Sequence, residues 1–324
     1  MKPSSNATVQ GLVAPREPLK YLGVAAVVIF SVLTAAKEVM SAHTVQEIDP
    51  FLLVFLTFGL TALVFHLGMA LGWLKKPMFN AGHNRKLLVR DLIIINISTA
   101  ASWLILFHAL KYSEPAIVSS IMTASGPLIT LVIDSLFRAR SKSAVSDLLT
   151  GFGILATTLV LVWLASTGKT GVVQEDPLLV WITLGAALFS GIAVSGTTVY
   201  SKRMYERGWQ PSQLMAHRFY LLCFLSLVFI IGDGGILEDI RRYWDLILII
   251  TIFGILIPIY ILQIGIKLCR PVVVSSLIAA GPAYTFLFQL FDDRIQMSIP
   301  TLIGVVVLSV FVFLSVILEK PGPS

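Results

Sequence analysis

Charge is what this sequence has least of. Only 13% of its 324 residues are Asp, Glu, Lys or Arg, against 56% hydrophobic. Soluble domains carry about 25% charged residues, so this chain cannot clothe a folded surface in water. Cysteine is also scarce. Cys223 and Cys269 have no metal-ligand or redox spacing, which excludes a disulfide framework or a cysteine metal site. A nucleotide-cradling G-x4-G-K-[ST] loop is missing, and no polar stretch is long enough to form the domain that would hold one. The acidic pair Asp292-Asp293, followed by Arg294, lies on a short loop near a span end. That is a poor basis for a membrane-embedded transferase. No cofactor or metal is expected.

What remains is long apolar runs. A membrane-crossing helix needs about 20 mostly apolar residues. Ten such spans are expected, at 21–40, 51–72, 92–112, 116–137, 147–166, 178–200, 211–232, 245–266, 272–291 and 299–318. Barrel strands alternate and are only about 10 residues long, so continuous apolar runs mean helices, which satisfy their own backbone. The polar segment 1–20 leads straight into a full-length span and has no cleavage-type pattern. It is expected to stay as a cytoplasmic tail, which discounts the sequon Asn6-Ala7-Thr8.

Lys and Arg orient the spans. With the N-terminus in the cytoplasm, seventeen of the 24 fall on cytoplasmic segments and five on the other side, while Lys37 and Arg218 lie inside spans. Both termini are therefore expected in the cytoplasm. The net charge of +6 is a topology signal, and no nucleic-acid partner is expected.

The chain also repeats itself. VSSIMTASGPLIT at 118–130 returns as VSSLIAAGPAYT at 274–285. The VSS triplets are 156 residues apart and the Gly-Pro pairs 155. Lys111 and Pro115 precede the first copy as Lys267 and Pro271 precede the second; Phe30-Ser31 matches Phe189-Ser190, and Pro50 with Thr57-Phe58 matches Pro211 with Arg218-Phe219. The first five spans (21–166) thus recur as the second five (178–319). Five is odd, so the second copy enters the membrane upside down. Inverted repeats of this kind are a mark of secondary transporters.

These features resemble the drug/metabolite transporter superfamily, most closely its EamA-type exporters, over about residues 20–319. That family often has a lysine late in its first span, matched here by Lys37, and a P-x6-RF pattern opening its second and seventh spans. Pro211, Arg218 and Phe219 keep the pattern; Thr57 departs from it in the first half. Related sugar-phosphate and nucleotide-sugar carriers have lysines in the fourth and ninth spans. This chain has Thr123 and Ala279 nearby instead, which argues against a phosphorylated substrate. The resemblance implies an all-α, ten-helix carrier in a bacterial plasma membrane, acting as a monomer or homodimer. It implies export of small organic metabolites, such as amino acids or drug-like solutes, coupled to protons or a counter-substrate. A sugar-phosphate or nucleotide-sugar-type exchanger is the alternative the resemblance leaves, and a passive channel is a further reading the spans permit.

Candidate binding residues follow from cost. A charge at a helix centre costs about 2.5–3.5 kcal/mol on insertion scales. Arg218, two turns inside its span, is the strongest candidate, able to pair with a substrate carboxylate or a gating acid. Lys37 and Glu38 are adjacent, so they point about 100° apart; one is expected at the cavity and the other at its rim. Ser119, Thr123, Gly126, Thr130 and Asp134 form one helical face, echoed by Ser275, Pro282, Thr285 and Gln289. His108 is a candidate proton relay. Trp103, Tyr200, Tyr260 and Tyr284 could stack on an apolar solute, with Gln263 one turn from Tyr260. Pro127 and Pro282, each after a glycine (Gly126, Gly281), are expected to kink their helices and free the carbonyls of Thr123 and Ile278. Trp73, Trp209 and Trp244 read as interface anchors.

Overall fold

The computed structural model describes residues 17–77, 84–124, 126–137, 145–167, 169, 177–231, 235–293 and 295–317. The sequon, Arg294 and the Asp134 side chain lie outside what is described. The helices are α1 (Glu17–Thr44), α2 (Pro50–Ala70), α3 (Asn84–Tyr112), α4 (Pro115–Ala124), α5 (Gly126–Phe137), α6 (Val145–Ser166), α7 (Pro177–Glu206), α8 (Pro211–His217), α9 (Tyr220–Ile230), α10 (Ile236–Ile249), α11 (Ile257–Leu268), α12 (Pro271–Ile278), α13 (Gly281–Gln289) and α14 (Ile299–Ile317). A π-helical segment, Ile250–Leu256, joins α10 to α11. No strand occurs among the described residues.

Six stretches are long and apolar enough to cross a membrane: Tyr21–Thr44, Pro50–Ala70, Arg85–Tyr112, Pro211–Ile230, Ile236–Leu268 and Pro271–Gln289. The remaining expected spans fall on α4 with α5, α6, α7 and α14. The outside is apolar, with Leu63, Val64, Phe152, Phe224, Phe253 and Phe313 each at least half exposed. Hydroxyls are buried instead, and many satisfy themselves locally. Ser31, Thr57, Ser120, Thr158, Ser226 and Thr251 each donate to the carbonyl four residues back. This back-bonding lets a polar side chain sit in an apolar bundle without an external partner.

Contacts come in exchanged pairs. α3 packs on α7, and its sequence counterpart α11 packs on α1. α4 meets α13 while α5 meets α12, so the two VSS helices cross antiparallel. At the crossing Gly126 faces Ser275, and Gly281 faces Ser119. A Cβ on either glycine would sit 3.7–3.8 Å from its nearest neighbour. That is ordinary contact, so the glycines are not there for steric reasons at this crossing. The Thr130 and Ser275 hydroxyls bond at 2.7 Å. One turn beyond Thr285, Gln289 accepts from the Ala116 N–H and donates to Glu114 at 2.5 Å.

The ninth span does more than kink. α12 ends at Ile278 and α13 starts at Gly281. Between them the ladder tightens, with the Ala280 N–H donating to Leu277 and the Ala283 N–H to Ala280. Pro282 therefore stands in the first turn of a new helix, where its missing donor costs nothing. Pro127 follows Gly126 at the start of the described segment α5, residue 125 lying outside the described residues.

The seventh span is interrupted as well, which nothing in its own sequence announces. α8 stops at His217 and α9 begins at Tyr220. In a continuous helix the Leu221 N–H would donate to the His217 carbonyl. Here Asn96 of α3 intervenes. Its amide NH2 donates to His217 O at 2.9 Å, and its oxygen accepts from Leu221 N at 3.3 Å. A side chain inserted into the ladder is a recognised cause of a helix break. Asn96→Leu should therefore cost about 1–3 kcal/mol, since each stranded buried group carries a penalty of that size, or else let α8 and α9 fuse and swing Arg218 away. Denaturant titration with hydrogen exchange at Leu221 distinguishes the two; a variant as stable as wild type with an unchanged Leu221 exchange rate would refute both.

Candidate substrate cavity

A cavity of about 70 Å³ lies among α1, α3, α4, α7, α11, α13 and the α8–α9 break. Its wall has two chemistries. Apolar surface comes from Phe30, Trp103, Leu106, Met122, Ile259 and Leu262, and polar groups from Thr34, Glu38, Ser119, Thr123, Thr197, Arg218, Gln263 and Thr285.

Arg218 is the least satisfied of these. It is 3% exposed. Nη2 donates to Thr99 Oγ1 at 3.2 Å, and the guanidinium lies 5.4 Å from the Phe219 ring. Nε and Nη1 have no partner. Gln263 repeats the pattern. Its oxygen accepts from the Tyr205 hydroxyl at 2.7 Å, while Nε2 is unpartnered. The hydroxyls of Thr34 and Thr197 are also unpartnered. Unmade hydrogen bonds of buried groups cost about 1–3 kcal/mol each, more for charged ones. The cavity thus holds a set of costly, unused donors. Glu38 supplies the opposite character. Its Oε2 accepts from Thr285 at 3.0 Å, and the Ser119 hydroxyl lies close to its carboxylate.

Of the residues expected at the site, Glu38, Trp103, Ser119, Thr123, Arg218, Gln263, Gly281 and Thr285 line this cavity. The others do not. Lys37 is 1% exposed and its ammonium lies 4.7 Å from the Trp103 ring centre and 5.2 Å from that of Phe107, with no hydrogen-bond partner. So Glu38 faces the cavity, and Lys37 points into an aromatic box rather than snorkelling. Gly254 of the π-helical segment makes that box possible: a Cβ there would come within 2.4 Å of Lys37 Cγ. Gly254→Ala should therefore destabilise by about 1–3 kcal/mol, the usual cost of overpacking; unfolding at the wild-type midpoint would contradict this.

His108 is exposed and stacks near Phe51 and Tyr112, away from the cavity. Tyr260 packs on Phe65, and Tyr284 does not reach the wall. Ser275 is spent on Thr130. Gly126, Pro127 and Pro282 shape the crossing without lining the cavity. Trp209 is 2% exposed and meets His217 edge-on, so it is no interface anchor, whereas Trp73 and Trp244 are exposed.

A second polar cluster lies at the other end of α3. Asp91 is fully buried and meets Arg90 at 3.1 Å, Arg203 at 3.5 Å and Arg207 in direct contact. Lys202 donates to the Lys267 carbonyl at 2.8 Å, and Lys267 donates to Gln210 at 2.6 Å. These bonds tie α3, α7, α11 and the start of α8 together at one end.

A solved crystal structure superposes on this chain with a TM-score of 0.62, at 18% sequence identity, covering 94% of this chain and 99% of the other. At that identity it speaks for the fold alone. No curated protein matches. The EamA-like transporter family model matches residues 21–163 and again 181–317. With two copies of one helical unit spanning most of its length and polar side chains gathered at the crossing between them, this chain belongs to the EamA-like transporter family.

Proposed function

We propose that this chain is a secondary transporter that carries a small organic solute with an anionic or acceptor-rich head, such as a carboxylate, across the membrane by alternating access. The single observation behind this reading is Arg218, a buried guanidinium at a helix break with two unused N–H groups facing a cavity. A carboxylate would accept from Nε or Nη1 together with the second hydrogen of Nη2, with the Gln263 amide as a further donor and Trp103, Leu106 and Met122 against the rest of the solute.

Ten spans, arranged as two inverted halves (21–166 and 178–319), fit the exchanged contacts of α3 with α7 and α1 with α11. Inverted halves can trade conformations, which gives inward-open and outward-open states of similar energy. On the Lys and Arg count, both termini face the cytoplasm and the Asp91 cluster is the cytoplasmic seal, in the plasma membrane of a bacterium. The direction is export, as the resemblance implies.

The test is ligand stabilisation followed by flux. Binding to the folded state raises its stability by RT ln(1 + [L]/Kd), about 2.7 kcal/mol at 100 Kd. Purified protein is screened for thermal shift against metabolites with and without carboxylates. Solutes that score are then tested for saturable counterflow in proteoliposomes. Flux that never saturates would point to a channel, and shifts given equally by carboxylates and their amides would overturn the role of Arg218.

A further inference from the structure

The transport reading leaves the energy source open, and one side chain in the cavity bears on it. Glu38 is 5% exposed; its carboxylate accepts from Thr285 of α13, and Ser119 of α4 lies close to it. It therefore touches both helices of the VSS crossing, one from each repeat. Lys37, its neighbour, interacts with it electrostatically, but the Lys37 ammonium is directed at Trp103 and Phe107 and no salt bridge joins the two among the described residues.

The Thr285 hydroxyl has two acceptors within reach, Glu38 Oε2 at 3.0 Å and the Gly281 carbonyl at 3.2 Å. It has only one hydrogen to give. When Glu38 is ionised, the charge-assisted bond to the carboxylate wins, since such bonds are roughly twice as strong as neutral ones. This ties α1 to the first turn of α13. When Glu38 carries a proton, its own O–H becomes the donor, and the Thr285 hydroxyl returns to Gly281 and closes the turn of its own helix. Gly281 is the first residue of α13, after the break at Ala279–Ala280. The choice is made at a joint.

The matching position in the second repeat has no acid. Counting from the Phe30-Ser31 and Phe189-Ser190 pair, Glu38 corresponds to Thr197, whose hydroxyl has no partner. The device exists on one side of the pseudo-symmetry only, so loading it favours one of two otherwise similar arrangements.

We propose that Glu38 is the proton-binding site that couples transport to a proton gradient, with Thr285 as the switch that reports its charge to α13. This rests on the transport reading above. A proton from the aqueous phase reaching the cavity binds one Glu38 oxygen and leaves by the same atom after the halves exchange; no other bond forms or breaks. The charged groups around it are Lys37, next to it on α1, and Arg218 at the α8–α9 break, which lines the same cavity.

Two measurements test it without any transported solute. Chains with Cys223 and Cys269 replaced by Ala receive spin labels at His43 and Phe291, both exposed and at neighbouring ends of α1 and α13. Infrared difference spectra and label distances are recorded across pH in lipid nanodiscs. Wild type should gain a carboxylic-acid C=O band on acidification, and the distance distribution should change with the same midpoint. Glu38→Gln should lose both. Thr285→Val should keep the band and lose the distance change, and it carries the test alone should Glu38→Gln not fold. A pH-dependent distance change that survives in Glu38→Gln, or a band that titrates in wild type while the distances stay fixed, overturns the proposal. A change driven by sodium at constant pH and not by protons overturns it too, giving the carboxylate to a metal cation. Failure to move any solute, with these results in hand, would count against the transport reading and not against the switch.

Discussion

Arg218→Ala is expected to abolish solute binding while leaving the protein as stable as wild type, or more so. The two effects separate because Arg218 does little for the fold. Its one polar contact is Thr99, and two of its N–H groups are buried without a partner. Removing such a group relieves a desolvation cost. Truncating one member of a buried, hydrogen-bonded charge pair costs a complex about 2–5 kcal/mol, and each 1.4 kcal/mol is tenfold in affinity. Binding of a carboxylate solute should thus weaken about 30-fold or more. Arg218→Lys keeps the charge and loses the planar fork, so it should fall between the two. The measurements are thermal stability of the purified variants and saturable counterflow in proteoliposomes. Wild-type flux in Arg218→Ala, or a large loss of stability with binding intact, would make this a structural arginine. Function preserved at a cost in stability is the ordinary pattern for a binding site.

How much of this was legible in the sequence differs from residue to residue. The repeat is written in the chain, with Ser and Gly in both copies although one residue closer in the second (Ser119 to Gly126, Ser275 to Gly281), whereas the crossing of the VSS helices is seen only once the chain is folded. Arg218 stood out because a charge inside an apolar span needs a reason. The break beside it was invisible. It depends on Asn96, whose bond to His217 spans 121 residues, and the run from Pro211 to Ile230 reads as one good helix. Lys37 and Glu38 could be separated in direction but not assigned. What assigns them is Gly254, on a π-helical turn that leaves room for the lysine stem, and a π-bulge has no reliable local signature. The cavity hydroxyls Thr34 and Thr197 are illegible for the same reason: Ser and Thr in such helices mostly bond their own backbone, as Thr57, Thr158 and Thr198 do here, and only packing reveals the exceptions.

Asp91 was missed differently. Lys and Arg at span ends were counted as orientation signals, and Arg90, Arg203 and Arg207 entered that count one by one. Folding brings all three to a single carboxylate with no exposed surface. Arg90 contributes little, since its side chain is 50% exposed and exposed pairs are worth about 0–1 kcal/mol. Arg203 and Arg207 are only 15% and 20% exposed. Asp91→Ala would leave these two cations near each other with their shared anion gone. Breaking a fully buried pair costs about 3–5 kcal/mol; both arginines can turn partly toward water, so about 2–3 kcal/mol is expected, read from denaturant unfolding of the purified chain. The cluster joins α3 to α7, helices from different halves, and an end that loses this tie should open more often. A cysteine placed at Leu88, buried beside the cluster, should then react with a water-soluble maleimide several-fold faster in Asp91→Ala than in wild type. Asp91→Glu should restore slow labelling, and Asp91→Arg combined with Arg207→Asp should recover part of the stability lost in either single variant, because residues in one network are coupled. Equal labelling rates in all of these would leave the cluster a structural staple and put the seal of this end elsewhere.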